Sequence, residues 1–211
     1  MQNIVIIGAG GHAKVLIDIV ESRADAKIAG LIGRQEDVGG SVMGHAVLGS
    51  DEDLVDVLSV GTADAVLIGL GDPAQRVRLH GEISQKLPNV AYGIAVHKQA
   101  YVAPDVVLGP GTVIMAGATV NPCCRIGAHC VVNTNASMDH DSVMEDFANL
   151  GPNAATGGNV RIGKAAVIGL GASINQGVDI GDNGIVGSGS VVLKDVAAGA
   201  KVAGVPAQLM E

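Results

Sequence analysis

The sequence predicts a two-part chain: an α/β half over residues 1–93, then an all-β prism with a C-terminal tail over residues 94–211. Three observations carry this. Short apolar runs alternate with helically spaced segments in the first half. An aliphatic residue recurs every six positions through the second half without a slip. The 211 residues include no Trp, two Tyr and one Phe, while glycine reaches 31. A core without aromatic rings has to be assembled from many similar aliphatic layers, which is the composition of a repeat.

In the first half, Asn3 to Ile7 reads as a strand. Gly8-Ala9-Gly10-Gly11 is a turn, and His12 to Ser22 carries helical spacing through Val15, Leu16 and Ile19. A second strand is expected over Lys27 to Ile32 and a helix over Asp51 to Leu58, with acidic residues in its first turn where the dipole favours them. A third strand over Ala65 to Leu70 and a helix over Asp72 to Lys86 complete the half. Strands alternating with helices predict a small parallel sheet of Rossmann-like βαβ units.

The second half is read from Val96 in steps of six, to Val192. Sixteen of these seventeen positions are Val, Ile, Leu or Met, and Thr156 is the exception. Four residues after each comes a second inward slot, usually small, as at Thr112, Ala118, Cys124, Cys130, Ala136, Ser142 and Ala148. A helix cannot hold a six-residue period on one face, because 3.6 residues per turn carries those positions around the axis. Six-residue flat sides can, and three sides close one triangular coil. Seventeen sides make between five and six coils, a stack roughly 27 Å tall at the usual strand spacing.

Charge and composition narrow the function. A net charge of −8 supplies no basic excess for a nucleic acid. The opening residues lack the basic and long apolar regions of a signal peptide, and no apolar run is long enough for a membrane span. An odd count of three cysteines in such a chain predicts a reduced, cytoplasmic protein. The hexad register turns Cys124 and Cys130 inward and Cys123 outward, so with His129 they cannot converge on zinc, and no metal is expected.

Gly8-Ala9-Gly10-Gly11-His12-Ala13 follows a strand and opens a helix, a place where backbone N–H groups receive phosphate. Gly33 and Arg34 stand where a dinucleotide site would carry its acidic residue, and the half is short for a dinucleotide, so a nucleoside diphosphate fits its size better. The alternative is a tight turn without a ligand. In the prism, His140 lies between Asp139 and Asp141, two residues after inward Met138. That puts it at a corner, pointing outward, with carboxylates able to orient the ring. By itself such a histidine is also an ordinary surface residue.

The hexads from Val96 to Val192, the terminal Gly204-Val205-Pro206-Ala207 and the opening Gly8-Ala9-Gly10-Gly11-His12-Ala13-Lys14-Val15 together resemble one family. It comprises the hexapeptide-repeat sialic acid O-acetyltransferases and the N-acetyltransferases of nucleotide-linked 4-amino-4,6-dideoxysugars. The resemblance implies that the prism is a left-handed parallel β-helix, a handedness that spacing alone does not supply. It implies acetyl-CoA as co-substrate, a homotrimer, and His140 as general base with Asp141 as its partner and Asp139 as a weaker candidate. It assigns the nucleotide-sugar to Gly8, Gly10, Gly11, His12, Lys14, Arg34, Gly71, Asp72 and Arg76, and the cofactor to Asn133, Asn149, Asn153, Gly157, Gly158, Gly204 and Pro206.

Two departures stand out. Relatives carry Asp-Asp after the second strand where this chain has Gly33-Arg34, which leaves the base open. They also carry a second histidine nine residues after the base, where this chain has Asn149. N-acetylation of an amino sugar such as GDP-perosamine or a UDP-bacillosamine precursor is the leading reading. O-acetylation of a sugar and a non-catalytic or metal-binding prism are the alternatives.

Overall fold

The computed structural model describes residues 1–59 and 61–210. The chain divides into two compact units, Met1–Lys98 and Gln99–Glu211. No helix among the described residues is long and apolar enough to cross a membrane.

The first unit is built on a sheet that is parallel except for one edge strand, Ser41–Val42. Its strands are β1 (Gln2–Ile7), β2 (Ala26–Gly33), β3 (Ser41–Val42), β4 (His45–Ser50) and β5 (Ala65–Ile68), in the order β3-β4-β2-β1-β5. β1 runs parallel to β2 and β5, and β2 parallel to β4. Ile4 to Ile7 of β1, an interior strand, are at most 1% exposed, which is why that strand reads as an unbroken apolar run. Helix α1 (Gly11–Glu21) buries Ala13, Leu16, Ile17, Ile19 and Val20.

Helix α2 (Leu54–Ser59) starts later than its acidic residues imply. The Asp53 carboxylate accepts from the N–H and hydroxyl of Ser50 at 2.8 and 2.9 Å, folding residues 50–53 into a turn first. Helix α3 (Pro73–Lys86) starts at a proline behind a capping aspartate, Asp72, whose carboxylate accepts from the N–H of Gln75 at 2.9 Å.

The β3–β4 hairpin was not legible in the sequence. Its two-residue turn is Met43-Gly44, both at positive φ, 49° and 86°. Such turns favour Asn or Asp at the first position, and a methionine there hides the signal.

The second unit is a stack of two-residue strands pairing in parallel with strands eighteen residues on, as Thr119 with Ser137 and Arg125 with Val143. Three flat faces result. One runs from Tyr101–Val102 to Val191–Val192, one from Val107–Leu108 to Asp179–Ile180, and one from Val113–Ile114 through Ile185–Val186. The third continues into a hairpin of Lys201–Gly204 and Ala207–Leu209. From Ile114 onward every aliphatic residue of the hexad register is buried, with the small slots Ala118, Ala136, Ala148, Ala154, Ala166 and Ala172 at most 1% exposed. Cys124 and Cys130 fill such slots and Cys123 is exposed.

The corners obey a second six-residue rule. From Gly111 to Gly189 every sixth residue, fourteen in all, sits at φ between 54° and 75°. Five are Gly, four Asn and one Asp, the residues that tolerate the left-handed region. Cys123, His129, Phe147 and Ala165 occupy the same conformation against their preference. His129 and Phe147 compensate by stacking, ring centroids 5.0 Å apart and planes 11° off parallel, with His129 only 2% exposed. Ala165 has no such contact to offer, so Ala165→Gly relieves about 1 kcal/mol of backbone strain and is expected to raise the thermal midpoint by about 2–4 °C in a melting curve.

Candidate functional site

In the first unit, the strand ends of β1, β2 and β5 surround a cavity of about 680 Å³. Gly8 has φ 122°, and a Cβ there would lie 2.9 Å from the carbonyl oxygen of Gly69, so only glycine lets the two strand-end loops meet. Gly10 is the N-cap of α1 and makes no side-chain cap hydrogen bond. Nothing lies within 4 Å of where a Cβ on Gly10 or Gly11 would stand. This is an uncapped helix N-terminus facing open space, the arrangement that accepts an anion.

Of the residues assigned to a nucleotide-sugar, Gly8, Gly10 and Arg34 line the cavity. Arg34 also bonds to Asp37 at 3.2 Å and to Glu36 at 2.8 Å, so part of its charge is satisfied locally. Arg76 does something else. It is 2% exposed, and its guanidinium donates to the carbonyls of Leu70 at 3.2 Å and Gly71 at 2.8 Å. It shapes the 70–71 loop from beneath, while Asp72 is spent on capping α3 and Lys14 is exposed on α1.

His12 sits over Gly71, with its Nε2 buried and unpartnered among the described residues. Burial, reinforced by the positive charge of Arg76, lowers its pKa from 6.5 to about 4, so the ring is neutral at pH 7. The sequence reading missed Gln75, Arg78, Leu79 and Glu82, which line the cavity from α3. Their i, i+3, i+4, i+7 spacing is one helix face and was the available signal. Asp37 and Asp51 complete the wall.

In the second unit, His140 stands at the corner between the first and second faces. Its Nδ1 lies 2.7 Å from Oδ2 of Asp141, and both side chains are half exposed. Asp141 takes the left-handed corner position at φ 58°. Asp139 carries the turn. Its carboxylate accepts from the His140 N–H at 2.8 Å and from the Asn121 amide at 2.8 Å, which holds its pKa below the usual carboxylate range. The hydrogen bond to Asp141, assisted by the charge of Asp139, raises the His140 pKa above 6.5. The neighbouring coils stitch the corner in place: Asp141 N–H donates to the Pro122 carbonyl at 3.1 Å, and Asn159 N–H to the His140 carbonyl at 2.9 Å.

Gly158, one coil on, lies beneath the ring, and a Cβ there would stand 2.6 Å from Cε1 and 2.7 Å from Nε2 of His140. It is therefore the floor of the imidazole. Asn153 is a left-handed corner residue at φ 55°, which accounts for its type by backbone alone. The Asn133 side chain accepts from the next backbone N–H, that of Thr134, at 2.9 Å, and a Cβ on Gly157 would meet the Gln176 N–H at 2.8 Å. Asn149 lies on the third face, paired with Val131 and Val167, half a coil from His140 and so away from its corner. Gly204, at φ 106°, and Pro206 form the terminal hairpin turn, and Pro206 lines a second cavity of about 370 Å³.

A stacked-coil prism carrying the His140–Asp141 pair, together with an α/β unit of parallel strands, is the two-part build of the left-handed β-helix acyltransferases. Comparison with known proteins narrows this. Residues 3–83 match the family described as the PglD N-terminal domain. Perosamine N-acetyltransferase from Caulobacter crescentus, solved with CoA and GDP-perosamine, superimposes with a TM-score of 0.93 at 33% identity, covering 100% of this chain and 98% of that one. The acetyltransferase domain of PglB from Neisseria gonorrhoeae gives a TM-score of 0.91 at 29% identity, covering all of both chains.

UDP-N-acetylbacillosamine N-acetyltransferase of Bacillus subtilis is 32% identical over 118 residues, 55% of this chain, and the match spans about half of that enzyme, 52%. The chain belongs to the family of left-handed β-helix sugar acetyltransferases that includes the nucleotide-linked amino-sugar N-acetyltransferases.

The two histidines differ in the direction their surroundings push them. An imidazole titration by NMR is expected to show His12 neutral down to about pH 4, while His140 protonates above 6.5 and falls back toward that value in Asp141→Asn.

Proposed function

We propose that this protein transfers the acetyl group of acetyl-CoA to the amino group of a nucleotide-linked 4-amino-4,6-dideoxysugar, with His140 as general base. The observation that carries the reading is the 2.7 Å contact between His140 Nδ1 and Asp141. With Nδ1–H donating to that carboxylate, the lone pair is on Nε2, the nitrogen not held by Asp141. A neutral amine attacks the thioester carbonyl, the C–N bond forms, and Nε2 takes the amine proton as the tetrahedral centre develops. Collapse breaks the C–S bond, and the proton passes from the imidazolium to the departing CoA thiolate. No serine or cysteine nucleophile is needed, since a thioester is already activated and the protein's part is placement and one proton.

The α/β cavity is the nucleotide pocket in this reading, with the α1 N-terminus and Arg78 facing a diphosphate. The Caulobacter enzyme crystallises with CoA and GDP-perosamine when a histidine is replaced by asparagine, which supports a histidine dispensable for binding. Assembly is a homotrimer in this proposal. His140 and Asn149 are nine residues apart, half a coil, so they can share a site only across two copies. The cofactor then lies between subunits, and the terminal hairpin at Gly204 and Pro206 is its further contact.

The test is a thiol-release assay with acetyl-CoA against UDP-, GDP- and dTDP-linked amino sugars. His140→Asn is expected to lose at least about a hundred-fold in turnover while still binding acetyl-CoA in calorimetry. Unchanged turnover would remove the base assignment. Because only the deprotonated ring accepts a proton, activity is expected to fall as pH drops through a value above 6.5. In Asp141→Asn that acid limb moves to lower pH. Gly158→Ala pushes the ring off its floor, and turnover is expected to drop by about ten- to a hundred-fold with the thermal midpoint little changed.

A further inference from the structure

Among the seventeen inward positions of the hexad register, Thr156 alone is polar, and it is 7% exposed. It also marks an irregularity in the backbone. At successive corners the N–H after each inward residue donates to the inward carbonyl one coil on: Asn121 to Met138, Asn133 to Leu150, Glu145 to Ile162 and Gly157 to Ile174, all at 2.8–3.0 Å. The corresponding step is Asp139 to Thr156. There the Asp139 N–H donates to the Thr156 hydroxyl at 3.2 Å instead. The strand pairing records the same event: Ser137 pairs with Ala155, but Met138 has no partner in Thr156, whereas Val120 pairs with Met138 and Thr156 with Ile174. Among the described residues the Thr156 carbonyl receives no backbone donor.

We infer that Thr156 is a positioning residue that takes the Asp139 N–H out of the coil lattice and thereby sets the turn presenting His140. This rests on the reading of His140 as the base. Exchanging an aliphatic layer and a ladder hydrogen bond for one side-chain hydrogen bond gains the stack nothing, because a buried hydroxyl has to be hydrogen-bonded merely to offset its own desolvation. What the exchange does is local. Asp139 is the residue whose carboxylate holds both the His140 N–H and Asn121, and whose carbonyl lies 3.1 Å from the Cys124 sulfur. With its N–H bonded to Thr156, every polar group of Asp139 engaged at this corner is fixed by a named partner, and the following residue is the imidazole. The departure from the aliphatic register and from the coil-to-coil hydrogen bonds coincides with the corner that presents His140.

The experiment compares Thr156→Val, which restores the aliphatic layer at equal size, with Thr156→Ser, which keeps the hydroxyl, and with His140→Asn, in the thiol-release assay and in thermal melts. Thr156→Val is expected to lower kcat about ten-fold, with KM for both substrates within about two-fold of wild type and a thermal midpoint equal or higher. Thr156→Ser is expected to keep most of kcat. Wild-type kcat in the valine variant overturns the inference. So does a serine variant as slow as the valine one, or a valine variant that melts early or fails to fold, since each makes the residue a matter of stability alone. If His140→Asn is inactive while Thr156→Val is fully active, only this inference falls. If His140→Asn stays active, the base reading falls and takes this inference with it.

Discussion

The interior of the prism admits one large aliphatic residue and one small residue per side, and the corners from Gly111 to Gly189 pass through the left-handed region of backbone space. These two demands act together on each six-residue side, and every other property of the second unit follows from them. The layers are aliphatic because only such side chains fill the narrow interior at the density of a protein core. The corners are rich in Gly and Asn because an ordinary side chain pays strain at positive φ. The strands need be no longer than two residues, because each is paired above and below by coils eighteen residues away.

Such a lattice is rigid, and rigidity is what the site uses. His140 is held from its own turn by Asp141 and Asp139, from the preceding coil through Pro122 and Asn121, and from the next coil through Asn159 and Gly158. A side chain on a flexible loop would lose that definition. The exposed ring keeps access to solvent and ligands, while the carboxylates on either side favour its charged form. That combination suits the general-base role proposed for His140.

The α/β unit solves a different problem with backbone rather than side chains. Gly8 lets the β1 and β5 loops touch, and α1 starts at Gly10 with no side-chain cap. Arg76, which resembles a ligand-binding residue by its position after Gly71-Asp72-Pro73, is buried under that loop and holds its carbonyls. The cations and carboxylates that do face the cavity come from Arg34, Asp37, Asp51 and one face of α3.

What the sequence determined by itself was whatever repeats or is local. The hexad register, the inward and outward assignment of the three cysteines, the βαβ alternation and the corner placement of His140 were all legible, because a period of six and a strand–glycine–helix junction are written in consecutive residues. Hidden from it were features set by partners far away in the chain. The Met43-Gly44 hairpin depends on β4 finding β2, and the burial of Arg76 on which way α3 rotates against its loop. Asn153 and Gly158 look alike as polar or small residues near the site. Only the stacking of coils shows that one serves a corner and the other lies under an imidazole eighteen residues before it. Spacing along a chain encodes the period of a lattice, but the contact between one coil and the next exists only when the lattice is built.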